Sequence, residues 1–316
     1  FASFYYAHFC YISAKNYKII FTTGFGWFTD LLIIIGAHFG DAKVVIEVNE
    51  NPYSPEGGRL DPKWIRKVRR LLTLNLPFRF ADGFIVISKS LEDLVYKFKK
   101  NSAQVIRVPI IVEDINEDGT DKIKPEYPYI FHAGALSETK DGMIAVFEAF
   151  AEACKRTPIP LRFIFTINIM SPQLKRKIDR IIAKNGLEDR VLFKGLLSVK
   201  EVDKLRASSA MAIVNKPSNW QNDYNFPTKL GELLIAGIPV IASSTGEMNR
   251  YLSDNETAFM VSANDSNAIA EKIIYILNNP DIALKIGNNG RNLALEKFQY
   301  TQYSKMLTDF FNRVSI

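Results

Sequence analysis

Two stretches of this chain place residue types with chemical potential at informative spacing. The first is Tyr224-Asn-Phe-Pro-Thr-Lys-Leu-Gly-Glu232, which continues through Leu233 to Ala242 and includes Gly237 and Pro239. Gly237 and then Pro239 end a helix ahead of a buried strand, so the stretch reads as a loop running into a helix. At that helix start, Asn225, Phe226, Pro227 and Thr228 would turn unpaired backbone N–H groups outward, where the helix dipole favours an anion such as a diphosphate. Pro227 removes one donor but suits a first turn. Lys229 adds a positive charge beside such an anion. Glu232 lies one turn further on, on the face with Thr228, and its carboxylate is of the type that accepts both hydroxyls of a ribose. A helix with a good N-terminus and a solvated lysine and glutamate has the same residue types.

The second stretch is Phe131-His-Ala-Gly-Ala-Leu-Ser-Glu-Thr-Lys-Asp-Gly142. It leaves a strand and opens a helix, the position at which doubly wound sheets bind ligands. Gly134 permits close backbone approach, and Lys140 is long enough to reach a phosphate. One glycine with a lysine six residues on is also what an ordinary turn with a solvated lysine contains. His132 stands at the strand end, while His8 and His38 read as structural.

The elements that must position these residues follow from the hydrophobic period. Short β-branched or aromatic runs alternate with longer amphipathic stretches along the whole chain, which means α/β. The strands expected are 18–22, 43–48, 84–88, 105–108, 129–133, 161–167, 191–194, 210–214, 239–242 and 258–261. Helical patterns cover 62–80, 91–100, 142–154, 172–185, 200–207, 228–236 and 268–278. Strand, crossover helix, parallel strand is the economical connection. A polar, proline-containing segment from Glu113 to Pro128 lacks an apolar period and reads as a linker.

At 316 residues the chain exceeds the size of one growing core, which predicts two domains. Hydrophobic residues at 47% and charged residues at 23% exclude a disordered chain. The longest apolar run, Leu31 to Ala37, falls well short of the roughly 20 residues of a membrane-spanning helix. Only two cysteines are present, Cys10 and Cys154, in neither a CxxC nor a Cys/His cluster, so neither a disulfide framework nor a zinc site is suggested. A reducing cytoplasm is the expected location. The net charge of +6 favours anionic partners.

The order and context of the two stretches resemble family 4 of the retaining glycosyltransferases, polysaccharide-assembly type, whose GT-B fold has two Rossmann-like domains facing a cleft. That family shows a strand ending in Gly-Arg-Leu followed by Lys-Gly, and the corresponding residues are Gly134-Ala-Leu and Lys140-Asp-Gly142. Its "gl.d.V.f.G" segment is similar to Gly186-Leu-Glu-Asp-Arg-Val-Leu-Phe-Lys-Gly195, whose backbone, with Phe193, would face the nucleotide base. Its Glu-x7-Glu element, ending in "EAma.G.PVi", matches Tyr224 to Glu232 and on to Ile241. Ala81-Asp-Gly-Phe-Ile-Val-Ile-Ser88 looks like the family's "aD.vi.vS" strand. Two departures stand out: the family's phosphate-binding Arg is Ala135, and the first Glu is Tyr224. Loss of the Arg leaves Lys140 and the helix N-terminus to carry the diphosphate.

The resemblance implies a partial N-terminal acceptor-side domain over 1–120, a nucleotide-sugar-binding domain over 121–298, and a last helix over 299–316 that returns to the first domain. One or two βα units would then precede Phe1. The implied activity is transfer of a sugar, with retention and without a metal, from a nucleoside-diphosphate sugar, chiefly a UDP-sugar, to a saccharide or lipid-linked acceptor in surface polysaccharide or glycan assembly. No cofactor and no nucleic acid are implied. Lys140, Glu50 and Glu232 are the expected catalytic residues. Gly134, Ala135, Lys140, Phe193, Asn225, Phe226, Pro227, Thr228, Lys229 and Glu232 would line the donor site. Glu50 follows a buried strand on the acceptor side, where a carboxylate accepts a hydroxyl proton or stabilises a positive anomeric centre. Two other readings remain open: a UDP-sugar epimerase, and a non-catalytic nucleotide-sugar-binding paralogue or partner subunit.

A further stretch, Asp61 to Phe80, carries Lys63, Arg66, Lys67, Arg69 and Arg70 beside Trp64, Ile65, Val68, Leu71 and Leu72. That is a basic amphipathic helix with an interfacial aromatic, suited to anionic lipid headgroups at the inner membrane face and to a lipid-linked acceptor. A solvated basic face is the alternative.

Overall fold

The computed structural model describes residues 2–24, 26–52, 63–114, 125–167 and 169–316. The chain divides into two compact units. One comprises residues 1–110, 223–226 and 301–316, the other 111–222 and 227–300.

The first unit runs α1 (Ala2–Ala14), β1 (Ile19–Thr22), α2 (Trp27–Phe39), β2 (Lys43–Val48), α3 (Lys63–Asn75), α4 (Pro77–Phe80), β3 (Gly83–Val86), α5 (Lys89–Phe98) and β4 (Gln104–Arg107). Its four strands form a parallel sheet in the order β1-β2-β3-β4. Asp82, just before β3, fixes the sheet's lower edge. Its carboxylate accepts from the Val44 N–H at 2.8 Å, pairs with Lys100 Nζ at 2.7 Å and meets His38 Nε2 at 2.8 Å. Burial pushes the Asp82 carboxyl up, but these three partners outweigh it and hold its pKa below the ordinary value.

The second unit follows with β5 (Tyr129–His132), α6 (Glu138–Asp141), α7 (Met143–Arg156), β6 (Arg162–Phe165), α8 (Pro172–Asn185), β7 (Val191–Phe193), α9 (Val199–Ala207), β8 (Met211–Val214), α10 (Thr228–Ile235), β9 (Val240–Ser243), α11 (Met248–Tyr251), β10 (Phe259–Val261), α12 (Ser266–Asn278) and α13 (Pro280–Lys297). Its six strands are all parallel, in the order β10-β9-β8-β5-β6-β7. The last helix, α14 (Thr301–Val314), belongs to the first unit. There Phe310 and Val314 pack on Val45, Ile85 and Ile106. Gly83 lies under that contact, since a Cβ on it would come within 2.9 Å of the Phe310 ring.

The α/β class with parallel sheets expected from the alternation is the one found. Strands covered on both faces read as unbroken apolar runs, as Met211–Val214 and Val240–Ser243 do, with every residue buried. The second core is built from Phe147, Phe150, Phe163 and Phe165 between α7 and the sheet, with Ile241, Phe259 and Ile273 beside them. The expected helix 62–80 is instead two, α3 and α4, because Pro77 has no N–H with which to continue α3 and starts a new turn. Helices α1, α2 and α13 and the single-turn α6 and α11 come in addition to those the pattern suggested. Among the described residues, no helix is long and apolar enough to cross a membrane. Most of the expected linker, residues 115–124, lies outside the described residues.

Candidate donor-binding site

In the second unit the chain order along the sheet reverses between β8 and β5: successive strands step one way from β5 and the other way from β8. Loops leaving the carboxyl ends of two such strands diverge and leave a crevice, which is where open α/β sheets bind ligands. The loop after β5 carries the Gly134–Gly142 stretch. The loop after β8 leads through Asn215 and Lys216 to α10, which carries Lys229 and Glu232. The Gly134–Gly142 stretch and the start of α10 therefore meet at one crevice because of the strand order.

Several polar contacts stitch the two loops together. Asn215 is buried, and its Nδ2 donates to the Gly142 carbonyl at 3.1 Å and to Asn264 Oδ1 at 3.0 Å. Its Oδ1 accepts from the Asn264 N–H at 3.0 Å. Asn222 Nδ2 donates to the Lys140 carbonyl at 3.2 Å and the Pro217 carbonyl at 2.8 Å. Lys216 Nζ pairs with Asp141 Oδ1 at 2.7 Å, with both side chains mostly buried. Ser137 caps the short α6 by accepting from the Lys140 N–H at 3.1 Å. Gly142 takes φ 51°, a left-handed conformation that lets the chain turn from α6 directly into α7.

Gly134 sits at the centre of this crevice. Its φ is +91° and its N–H donates to Thr166 Oγ1 at 3.1 Å. A Cβ added there would lie 2.7 Å from Lys229 Nζ, so the Lys229 ammonium lies directly over the Gly134 turn. Ala135, the position at which the resemblance expects an arginine, is exposed beside it. The Lys229 ammonium makes no ion pair or hydrogen bond with any described residue. Burial, followed by the nearby Lys216 charge, holds its pKa below the usual lysine value, only partly opposed by Asp141 and Glu232. It is a half-buried cation without a counter-ion.

Helix α10 begins after Pro227, which stands just outside the helix rather than in its first turn and supplies no side-chain cap. Thr228 and Glu232 share the exposed face of the helix. The Glu232 carboxylate is half-exposed and held by the buried Arg206, whose Nη2 donates to Oε2 at 2.9 Å while Nη1 pairs with Asp203 at 3.1 Å. Asn225 and Phe226 fall in the segment that groups with the first unit, in which Ser88 donates its hydroxyl to the Tyr224 carbonyl. Phe226 is buried. The partly buried Phe193 ring stacks on Phe165 with centroids 5.1 Å apart and packs against the core. Glu50 belongs to the first unit and is exposed just beyond β2.

The structure thus gathers Gly134, Ala135, Lys140, Thr228, Lys229 and Glu232 around one crevice of the second unit. To these it adds His132, Asp141, Arg206, Asn215 and Lys216, four of which sequence reasoning did not single out. Burial pushes the His132 pKa down to about 4, aided by the Lys229 and Lys216 charges and opposed by Asp141 and by a hydrogen bond to the Ala135 backbone. His132 is therefore a neutral imidazole at neutral pH. Among the described residues no cluster of three His, Cys, Asp or Glu could hold a metal ion.

A parallel sheet with a switch-point crevice, and a glycine turn with a lysine over it, is the arrangement at which open α/β folds receive anionic ligands. The chain belongs to the family described as Glycosyl transferases group 1, whose profile matches residues 114–293, more than half of its length. It is 24% identical over 220 residues to the uncharacterized glycosyltransferase MJ1178 of Methanocaldococcus jannaschii, a match covering 70% of this chain and 56% of that protein. It is 29% identical over 153 residues to the capsular polysaccharide biosynthesis glycosyltransferase CapM of Staphylococcus aureus, covering 42% of this chain and 40% of that one. The matched region thus spans about half the length of these relatives. The fold is shared with Anabaena Alr3699/HepE, whose crystal structure contains UDP-glucose: the TM-score is 0.76 at 16% identity, covering 97% of this chain and 81% of the other.

Proposed function

We propose that this protein transfers a sugar from a UDP-sugar to a saccharide or lipid-linked acceptor, with retention of anomeric configuration, in surface polysaccharide assembly. The observation that carries the reading is the Lys229 ammonium over the Gly134 turn, half-buried and lacking a counter-ion. A half-buried cation with no directly paired anion is unfavourable unless one arrives, and a diphosphate at the switch point is such an anion. In this reading Lys229 supplies the positive charge that the resemblance assigns to an arginine at 135. Lys216 acts on it from nearby, and Lys140 lies on the same Gly134–Gly142 stretch. Charge developing on the departing UDP is met by these lysines and by the backbone N–H groups at the start of α10, so the reading needs no divalent cation.

Glu232, oriented by Arg206, takes the ribose hydroxyls. Glu50 of the first unit acts on the acceptor side as proton acceptor or electrostatic stabiliser. The protein works in the cytoplasm at the inner membrane face. The face of α3 that carries Trp64, Lys67, Val68 and Leu71 is exposed, which suits an anionic lipid surface and a lipid-linked acceptor. Asp61 and the side chains of Lys63, Arg66, Arg69 and Arg70 lie outside the described residues.

A panel of nucleoside-diphosphate sugars incubated with the protein tests the reading. Slow UDP release from a UDP-sugar is the expected result. Inversion at C2 of the sugar would replace the transferase with an epimerase, and binding without any turnover would leave a binding protein.

A further inference from the structure

His132 lines the crevice but has been given no chemical role so far. It ends β5, two residues before the Gly134 turn, with its ring tilted on Phe165 at a centroid distance of 5.6 Å. Its Nε2 is shielded from solvent and has no hydrogen-bond partner. The ring's one backbone hydrogen bond, to Ala135, favours the protonated ring, so the nitrogen that makes it is a donor, and with Nε2 unpartnered that nitrogen is Nδ1. Nε2 therefore carries a lone pair that no described residue satisfies. Buried polar atoms of this kind are uncommon, and each represents a penalty that a ligand can relieve.

The chemistry of that lone pair selects the ligand group. A diphosphate at neutral pH presents only acceptor oxygens, and two acceptors repel, so Nε2 is not a phosphate contact. The lysines beside it lower its proton affinity further and keep it an acceptor. Lys229, the first of the charges acting on His132, has no partner of its own and a long flexible side chain that can move onto an arriving phosphate. In a nucleoside-diphosphate sugar, the hydrogen donors next to the diphosphate are on the transferred sugar. We propose that His132 is a specificity residue of the donor site, whose Nε2 accepts a hydrogen bond from a hydroxyl or amide N–H of the sugar being transferred. The inference rests on the donor-site reading above and extends it from the diphosphate to the sugar.

Titration calorimetry on the full chain with UDP and, separately, with UDP-glucose and UDP-N-acetylglucosamine tests it. His132→Phe keeps the ring on Phe165 and removes the acceptor, while His132→Gln restores an acceptor oxygen at similar reach. The expected result is that His132→Phe binds UDP within about twofold of wild type and the preferred UDP-sugar about 3- to 10-fold more weakly, the net worth of one hydrogen bond. His132→Gln should recover most of that loss. Should Phe weaken UDP and UDP-sugar by the same factor, or neither, the Nε2 lone pair does not meet the sugar and the proposal is overturned. A Gln variant with an unchanged melting temperature that binds the UDP-sugar as weakly as Phe overturns it as well. Wild-type protein that binds none of the three ligands instead overturns the donor-site reading itself.

Discussion

Replacing Lys229 with alanine removes the one ammonium that lies over the Gly134 turn without a counter-ion. A hydrogen bond to a charged group contributes about 1.5 to 3 kcal/mol, so UDP affinity should fall about 10- to 150-fold. Charge on the leaving diphosphate grows as the sugar–phosphate bond breaks, so the effect on kcat should reach about 10²-fold or more and exceed the effect on donor KM. Stability should move in the opposite sense. Burial lowers the Lys229 pKa in the folded protein, so the unfolded chain holds this proton more tightly, and its contribution to stability rises with pH between the folded pKa and 10.5. Below that window the penalty of the buried charge is fully present, and Lys229→Ala should melt no lower than wild type. Binding of the diphosphate restores the lysine pKa, so UDP affinity should weaken as pH rises through the free protein's Lys229 pKa. That alkaline limb should be absent in Lys229→Met, and the difference between the two profiles removes the ionisation of the uracil ring. Calorimetry and steady-state kinetics are the assays. Ala135→Arg in the Lys229→Ala background should recover part of the affinity, since it returns a cation to the same turn. If Lys229→Ala binds UDP normally while Lys140→Ala loses about 10²-fold in kcat, the diphosphate is carried by Lys140 and the reasoning fails.

Other perturbations test the remaining parts of the site. Glu232→Ala should weaken UDP binding by a few kcal/mol at most, since it removes a charge-assisted pair of hydrogen bonds; unchanged affinity in calorimetry would remove Glu232 from the ribose. Gly134→Ala introduces a Cβ at φ +91° and 2.7 Å from Lys229 Nζ, so it should lower stability by about 1 to 2 kcal/mol and displace the ammonium, seen as a lower melting temperature together with weaker UDP binding. Neutralising Arg66, Lys67, Arg69 and Arg70 together should abolish sedimentation with acidic liposomes, at about 1 kcal/mol per charge; equal sedimentation of the variant and wild type would make α3 a solvated face.

Much of the fold was legible because its signals are local. Ten strands were expected and the second unit's six follow those positions closely, since buried parallel strands are short apolar runs between turn residues. The expected helix 172–185 coincides with α8, whose ends are set by the Ser171 cap, Pro172 and the left-handed Gly186. Helix α2 escaped because Trp27–Phe39 is nearly all apolar, and a run without a polar face has no helical period to detect. Helix α13 escaped because Gly287 and Gly290 interrupt it. In the fold these glycines are required: a Cβ on Gly287 would come within 2.6 Å of the Gly237 carbonyl oxygen, and one on Gly290 within 2.7 Å of that of Thr257.

The sequence alone determined that α10 begins near Thr228, that Lys229 and Glu232 lie on its first turns, and that Gly134 marks a turn after a strand, because each depends on a few adjacent residues. It could not determine that β8 lies beside β5, since strand order is decided by how the crossover helices pack on the sheet. That neighbourhood brings Lys216 to Asp141, Asn215 to Gly142 and Lys229 over Gly134, across sequence separations of 75, 73 and 95 residues. It also leaves His132 Nε2 without a partner among the described residues. The residue types were written in the chain, but which cations share one crevice, and which of them lacks a counter-ion, depends on long-range packing that no local pattern encodes.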